Sequence, residues 1–255
     1  MDLQMPGKLA TGYTSRSQQA RIVTEAWGAR DLYCPNCRAV GISQTPPNKA
    51  AVDYVCLTCR CEFQLKAKTT AISATIRDGA YATMIAKIRA DETPNLVLMR
   101  YAWPEWQVRD VLLIPSFAFP ESAVIQCKPL KPTAKRAGWV GCNISLTQIP
   151  VEARIKVVSA GVETAAADVR SQYAKLKPLR EIRSPARGWM LDVLGCVRRL
   201  GKVEFTTTEA YFFADELSRL HPNNRHVREK IRQQLQDLSH LGLLHHISRN
   251  HWRIP

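Results

Sequence analysis

Two C-x-x-C pairs, Cys34-Pro35-Asn36-Cys37 and Cys56-Leu57-Thr58-Cys59, stand eighteen residues apart. They constrain the fold more than any other feature. One such pair leaves a thioredoxin-like redox motif open, but two at this separation match four thiolates around a single tetrahedral zinc. All six histidines fall at or beyond His221 and do not compete as ligands. Cys61, Cys127, Cys142 and Cys196 are isolated along the chain and read as small core residues. A zinc held by Cys34, Cys37, Cys56 and Cys59 has no open position for water, so the site is expected to be structural, tying a hairpin that carries Asp53 on one side and Lys66 on the other.

The thiols need a reducing compartment. The start, Met1-Asp2-Leu3-Gln4-Met5-Pro6, lacks the basic and apolar stretches of a secretory signal, which predicts a cytoplasmic protein. No apolar run approaches the length of a membrane span. The 255 residues suffice for a catalytic domain and a small appended module. Lys and Arg number 36 against 22 Asp and Glu, a formal charge of +14. That balance favours a polyanionic partner, nucleic acid first among them, although many basic proteins are merely soluble.

Residues 17–27 are predicted helical, with a serine to cap the start and Val23, Ala26 and Trp27 on one face. Ser43 to Lys49, with Pro46, Pro47 and Asn48, reads as a loop, followed by strands at Ala51 to Val55 and Cys61 to Lys66. Asp78 to Ala90 is expected to be helical from its Met84, Ile85 and Ile88. Asn95 to Tyr101 and Val108 to Ile114 are buried strands. This is a mixed α/β (α+β) core. Lys128 to Gly138 is a loop carrying Lys128, Lys131, Lys135 and Arg136, suited to phosphates or simply to solvent. Val162 to Pro178 reads as a helix leading to a linker, and the boundary falls near residue 182.

Phosphodiester hydrolysis needs acceptors that hold a magnesium ion and a cation near the nucleophile. Asp53 and the alternating Glu62, Gln64 and Lys66 offer those parts, since residues two apart on a strand share a face. An ordinary half-buried strand with a polar outer face has the same pattern.

The chain resembles the DpnI-type methyl-directed restriction endonucleases nearly end to end. The landmarks are Ser17-Gln18-Gln19-Ala20-Arg21, Tyr33-Cys34-Pro35-Asn36-Cys37, Asp78-Gly79-Ala80-Tyr81-Ala82-Thr83-Met84, Arg136-Ala137-Gly138-Trp139, Gly141-Cys142-Asn143-Ile144 and Glu229-Lys230-Ile231-Arg232-Gln233-Gln234-Leu235-Gln236. The resemblance implies a P-D-(D/E)-x-K nuclease fold over residues 1–182, magnesium dependence, cleavage of double-stranded DNA at GATC with methylated adenine, and a winged helix over 183–255 that also reads the methylated site. It assigns Asp53 to the metal and Lys66 to catalysis. Gln64 stands where the family motif has glutamate. An amide oxygen can ligate a hard cation, at the loss of one negative charge, and Glu62 or Glu25 is placed to compensate or to serve the surface.

In the C-terminal part, Arg187 to Leu200 is helical and ended by Gly201. A second helix is expected from Phe205 to Leu220, a turn at His221 to Asn224, a third helix from His226 to Leu241, and a hairpin from Leu243 to Ile254. That order is a winged helix-turn-helix, a module of DNA binding and also of protein interaction. Arg225, Arg228, Lys230 and Arg232 near the start of the third helix favour DNA, with Gln233 and Gln234 as amides suited to base edges or to solvent. Burying one methyl group contributes only about 0.8 kcal/mol, so reading two methyl groups in two domains is the expected route to selectivity. Trp139 and Trp252 are the candidates for apolar methyl contacts, or else core aromatics. The expectation is therefore a methylation-dependent endonuclease, monomeric in solution. The rival is a methylated-DNA binding protein whose nuclease site has decayed through Gln64.

Overall fold

A computed structural model describes residues 1–46 and 52–255. They gather into two compact units. One comprises Met1–Ser73, Pro94–Ser116 and Glu152–Leu176, the other Ala74–Thr93, Phe117–Val151 and Lys177–Pro255. Ala51, where a strand was expected to begin, and Pro47, Asn48 and Lys49 of the expected loop lie outside the described residues.

The first unit is built on a seven-stranded mixed sheet. Its strands are β1 (Ser43–Gln44), β2 (Tyr54–Val55), β3 (Glu62–Lys68), β5 (Asn95–Ala102), β6 (Gln107–Ile114), β9 (Ile155–Ser159) and β10 (Val162–Glu163), in the order β1-β2-β3-β5-β6-β9-β10. Helices α1 (Arg16–Asp31) and α3 (Ala166–Leu176) belong to the same unit. Among the described residues, the β3–β5 pair is the parallel one. The Leu96-Val97-Leu98-Met99 run of β5 is buried throughout, as a strand covered on both faces must be. Asn95, at the start of β5, is buried and bonded through both ends of its amide: the NH2 donates to the Glu62 carbonyl at 2.9 Å, while the oxygen accepts from the Ser116 N–H at 3.1 Å and the Tyr173 hydroxyl at 3.0 Å. One side chain thus fixes where β3 begins against β5.

Helix α1 buries Val23 and Trp27, and the Trp27 indole N–H donates to the Asp2 carbonyl at 2.8 Å. The expected cap differs. Ser17 lies inside the helix, Ser15 holds the cap position without a side-chain cap bond, and the two hydroxyls meet at 2.8 Å. The helix expected from Val162 instead begins at Ala166, because Val162 and Glu163 pair with β9.

The second unit contains the three-stranded sheet β4-β8-β7, formed by β4 (Thr75–Ala80), β8 (Gly141–Ser145) and β7 (Val124–Gln126). Helix α2 (Tyr81–Arg89) follows β4 directly, so Asp78 to Ala80, expected to be helical, belong to the strand: Asp78 and Gly79 lie at a register shift and Ala80 pairs with Gly141 of β8. The remaining elements are α4 (Ser184–Arg199), α5 (Thr207–Ala210), α6 (Ala214–Leu220), α7 (Val227–His240) and a sheet of β11 (Glu204–Thr206), β13 (His251–Arg253) and β12 (His245–Ser248). Phe205 and Thr206 are therefore strand and not the opening of a helix; they pair with Trp252 and His251. Gly201 takes φ 67°, the left-handed conformation that ends a helix at the cost of no Cβ clash.

Helix α4 is buried around its circumference, with Trp189 to Leu194 consecutively covered. A helix apolar on one stripe faces one partner; this one is enclosed by several. Its Ser184 hydroxyl donates to the Ile88 carbonyl at 2.9 Å, and its buried Arg187 pairs with Asp91 and donates to the Ile182 carbonyl at 2.8 Å.

Candidate functional site

The four knuckle cysteines converge. Sγ of Cys34 lies 3.5 Å from that of Cys59, Sγ of Cys37 lies 3.6 Å from that of Cys56, and all four lie within 4.8 Å of one another. Thiolates at about 2.3 Å from a tetrahedral zinc stand about 3.8 Å apart, so this set fits the ion and fills its coordination. Cys61, expected to be isolated, interacts with the Cys34 and Cys59 thiols. The first knuckle is also held from outside: Arg170 on α3 donates to the carbonyls of Cys34 at 3.2 Å and Ala39 at 3.1 Å and stacks over the Tyr33 ring at 5.0 Å. Such a guanidinium clamp has no local sequence signal, because its partners lie 131 and 136 positions away.

The second knuckle joins β2 to β3. Tyr54 pairs with Phe63 and Val55 with Glu62 in antiparallel register, and the Asp53 N–H donates to the Phe63 carbonyl at 2.8 Å. The hairpin therefore brings Asp53 alongside the middle of β3. Its carboxylate Oδ2 accepts the Leu65 N–H at 2.7 Å, and Leu65 is the residue between Gln64 and Lys66. Strand alternation places Gln64 and Lys66 on one face, opposite Leu96 and Leu98 of β5 in register.

Helix α1 supplies the rest. The Tyr54 hydroxyl donates to the Glu25 carbonyl at 2.9 Å, and Gly28 lets that ring approach: a Cβ there would meet the hydroxyl oxygen at 2.3 Å. Glu25 accepts from Arg21 Nε at 2.8 Å and from Gln44 Nε2 at 3.1 Å. Burial pushes the Asp53 carboxyl above its ordinary value and the charge of Glu25 adds to the rise, while the Leu65 hydrogen bond, Lys66 and Arg21 oppose it. A half-buried carboxylate that feels a second carboxylate is an environment a divalent cation relieves. Asp53, Gln64 and Lys66 are thus brought together with Glu25 and Arg21. Nothing in the local sequence around Arg21 pointed to its place beside them.

The basic residues of the 127–140 connection, Lys128, Lys131, Lys135 and Arg136, are all exposed. The connection is knit by its own backbone, with the Leu130 N–H on the Trp139 carbonyl at 2.9 Å and the Gly138 N–H on the Leu130 carbonyl at 3.1 Å. Trp139 is half-buried and lies on Gly141, where a Cβ would stand 2.7 Å from the ring, and Arg136 caps the ring at 4.6 Å.

Around the start of α7, Arg225, Arg228, Arg232 and Gln233 are exposed, and Lys230 donates to Gln233 at 3.0 Å. Gln234 is buried against Asp237, so one amide of the pair faces outward. Trp252 departs from expectation. It is 4% exposed, and its indole N–H donates to Thr207 Oγ1 at 2.9 Å, so it holds the wing sheet to α5 and offers no ring to a ligand.

No helix among the described residues is long and apolar enough to cross a membrane. Residues 1–182 match the DpnI family, described as the Dam-replacing family, and residues 185–254 match DpnI_C, the Dam-replacing HTH domain. With a sheet core carrying a four-cysteine cluster and a C-terminal helix-turn-helix, the chain belongs to the DpnI family of restriction endonucleases.

Proposed function

We propose that this protein is a methylation-dependent type II restriction endonuclease that cleaves double-stranded DNA at GATC carrying methylated adenine, by magnesium-dependent phosphodiester hydrolysis. The observation that carries the reading is the Asp53 carboxylate bonded to the Leu65 N–H between Gln64 and Lys66, on a hairpin whose turn is closed by the four cysteines. Asp53 and the Gln64 amide oxygen are the metal ligands in this reading, and the Glu25 carboxylate supplies part of the charge that glutamate would bring at position 64. Asp53 and Gln64 would hold the magnesium ion, which would supply positive charge for the phosphate and polarise water. The Lys66 ammonium stands near the nucleophile and favours its deprotonated form. Zinc on the four thiolates holds the hairpin geometry and takes no part in chemistry.

Functionally the chain divides near residue 182, into a nuclease part and a winged-helix reader over 183–255, and works as a monomer in solution. Lys128, Lys131, Lys135 and Arg136 contact phosphates, with Trp139 beside them as the apolar surface for a methyl group. Arg225, Arg228, Lys230, Arg232 and Gln233 bring the reader to the second contact.

Gln64 also favours a second reading, a methylated-DNA binding protein that no longer cleaves. Incubating adenine-methylated and unmethylated plasmid with magnesium separates the two. Linearisation or fragmentation of the methylated plasmid alone supports the nuclease, whereas retarded but uncut methylated DNA supports the binder.

A further inference from the structure

The His221 imidazole, at the end of α6, lies face to face with the Trp189 indole of α4, ring centroids 3.9 Å apart and planes within 16°. Its Nε2–H donates to Oδ2 of Asp192 at 2.8 Å, and the other oxygen of that carboxylate accepts the Ser122 hydroxyl. Asp192 is 2% exposed and His221 19%. Both carboxylate oxygens are therefore committed, one to the segment before β7 and one to the turn before α7. These groups form one wall of a cleft of about 800 Å³ whose rim carries Asn224, Arg225 and His226.

The turn itself is short and hangs from His221. The His221 N–H bonds the Leu217 carbonyl at 2.9 Å, the Asn224 N–H bonds the His221 carbonyl at 3.0 Å, the Asn224 side chain accepts the His226 N–H at 2.8 Å, and α7 opens with the Lys230 N–H on the His226 carbonyl at 2.9 Å. Each link is one hydrogen bond from the next. His221 thus ties the turn to α4 through its ring on Asp192, while its own carbonyl takes the Asn224 N–H that begins the chain of bonds toward α7.

We infer that Asp192 and His221 are positioning residues that set the entry angle of the recognition helix against the Ser122 segment, and so determine selectivity for the methylated site. The inference rests on the reading of residues 183–255 as a DNA reader. A helix whose basic residues met phosphates alone would tolerate a loose start, because phosphate contacts carry no sequence information; contacts to base edges do not tolerate it. A side chain locked by packing and a second hydrogen bond is what holds such geometry.

The test uses the full chain with three substitutions. His221→Phe keeps a ring on Trp189 and removes the bond to Asp192. Asp192→Asn is the conservative control, because its amide oxygen can still accept from Ser122 and its NH2 can donate to Nε2 once the ring takes the Nδ1–H tautomer. Asp192→Ala removes both bonds. Two quantities are read on each protein: the ratio of affinities for methylated and unmethylated GATC duplex, and amide hydrogen exchange at Asn224, His226 and Lys230. For His221→Phe we expect the ratio to fall about tenfold, the scale of one lost charge-assisted hydrogen bond, with faster exchange at those amides and retained binding to unmethylated duplex. Asp192→Asn should stay within about twofold of wild type, and Asp192→Ala, if it folds, should follow His221→Phe. Wild-type exchange in His221→Phe overturns the inference whatever the affinities, and so does faster exchange with an unchanged ratio. If wild type itself does not prefer methylated duplex, the reader function is wrong, and no specificity role for His221 survives it.

Discussion

The Leu65 N–H donates to the Asp53 carboxylate across the hairpin at 2.7 Å, placing the carboxylate between the positions of Gln64 and Lys66. The bond explains why the site needs a backbone turned by the cysteine knuckle: without that register Asp53 faces a different pair of β3 residues. Asp53→Asn keeps the shape and one acceptor but loses the charge, and Lys66→Ala loses the cation. Both should reduce cleavage of methylated plasmid by at least about a hundredfold, the usual scale for a group that stabilises the transition state, while leaving methylated-duplex affinity within a few-fold. A gel-based cleavage assay beside a binding titration checks this, and full cleavage by Lys66→Ala would remove the lysine from the chemistry.

The four-thiolate cluster should be structural. Cys56→Ser is expected to release zinc and loosen the nuclease part, since ligation free energy is folding free energy. Arg170→Ala, which leaves the ligands intact but frees the Cys34 and Ala39 carbonyls, should weaken zinc retention about tenfold or more against a chelator. Metal analysis before and after chelator treatment gives the answer, and a zinc-free, fully folded Cys56→Ser protein would contradict the structural role.

Gly28 is a packing requirement, not a flexible point. A Cβ at that position lies 2.3 Å from the Tyr54 hydroxyl oxygen, so Gly28→Ala must push α1 away from β2 or expel the ring. Overpacking of this kind costs about 1–3 kcal/mol. Because Tyr54 donates to the Glu25 carbonyl, cleavage should fall along with stability, and a denaturant titration run beside the cleavage assay tests both.

These elements differ in how legible they were. The C-x-x-C pairs, the alternation of Gln64 and Lys66, the buried runs of β5 and β6 and the helices around Trp189 and Ile231 all announce themselves in local pattern. The strand Asp78–Ala80 did not, because the Met84, Ile85, Ile88 periodicity of α2 begins directly after it and no turn residue other than Gly79 marks the change. Phe205 and Thr206 carry no strand signal of their own because their partners, His251 and Trp252, lie some 45 residues on, beyond any local pattern. The same distance hid the burial of Trp252. At the candidate site the alternation on the strand offers Gln64 and Lys66 beside Asp53 and the resemblance gives them their roles, Glu25 is one of two candidates for compensation, and Arg21, Asn95 and Arg170 act through contacts that only the fold creates.

The wing is anchored by a reciprocal cap at the start of α5. Thr206 Oγ1 accepts the Glu209 N–H at 3.2 Å, and Glu209 accepts the Thr206 N–H at 2.7 Å. Replacing Thr206 by Ala should cost about 1 kcal/mol of stability. The bond from Lys202, followed by those from Thr206, lowers the Glu209 carboxyl from 4.5 to about 2. A carboxyl depressed on folding stabilises above its unfolded value and loses that contribution as pH falls through the folded one. Glu209→Gln should therefore be less stable than wild type at neutral pH, with the gap closing from about 4.5 down to about 2. Thermal melts of both proteins across that range test it; a gap independent of pH would show that the carboxylate charge contributes nothing.

Magnesium titration of plasmid cleavage by wild type, Gln64→Glu and Gln64→Ala, on adenine-methylated and unmethylated DNA, bears most directly on the central claim. A unit charge about 4 Å from the ion in surroundings of effective dielectric near 20 is worth several kcal/mol before desolvation, so glutamate at this position should lower the magnesium requirement and alanine should raise it or stop the reaction. Three separated curves are expected on methylated plasmid, with wild type active in the middle, and no cleavage of unmethylated plasmid by any of the three. Superimposable curves would show that Gln64 does not hold the ion, and cleavage by the glutamate variant alone would show that wild type is a reader of methylated DNA that has lost its chemistry.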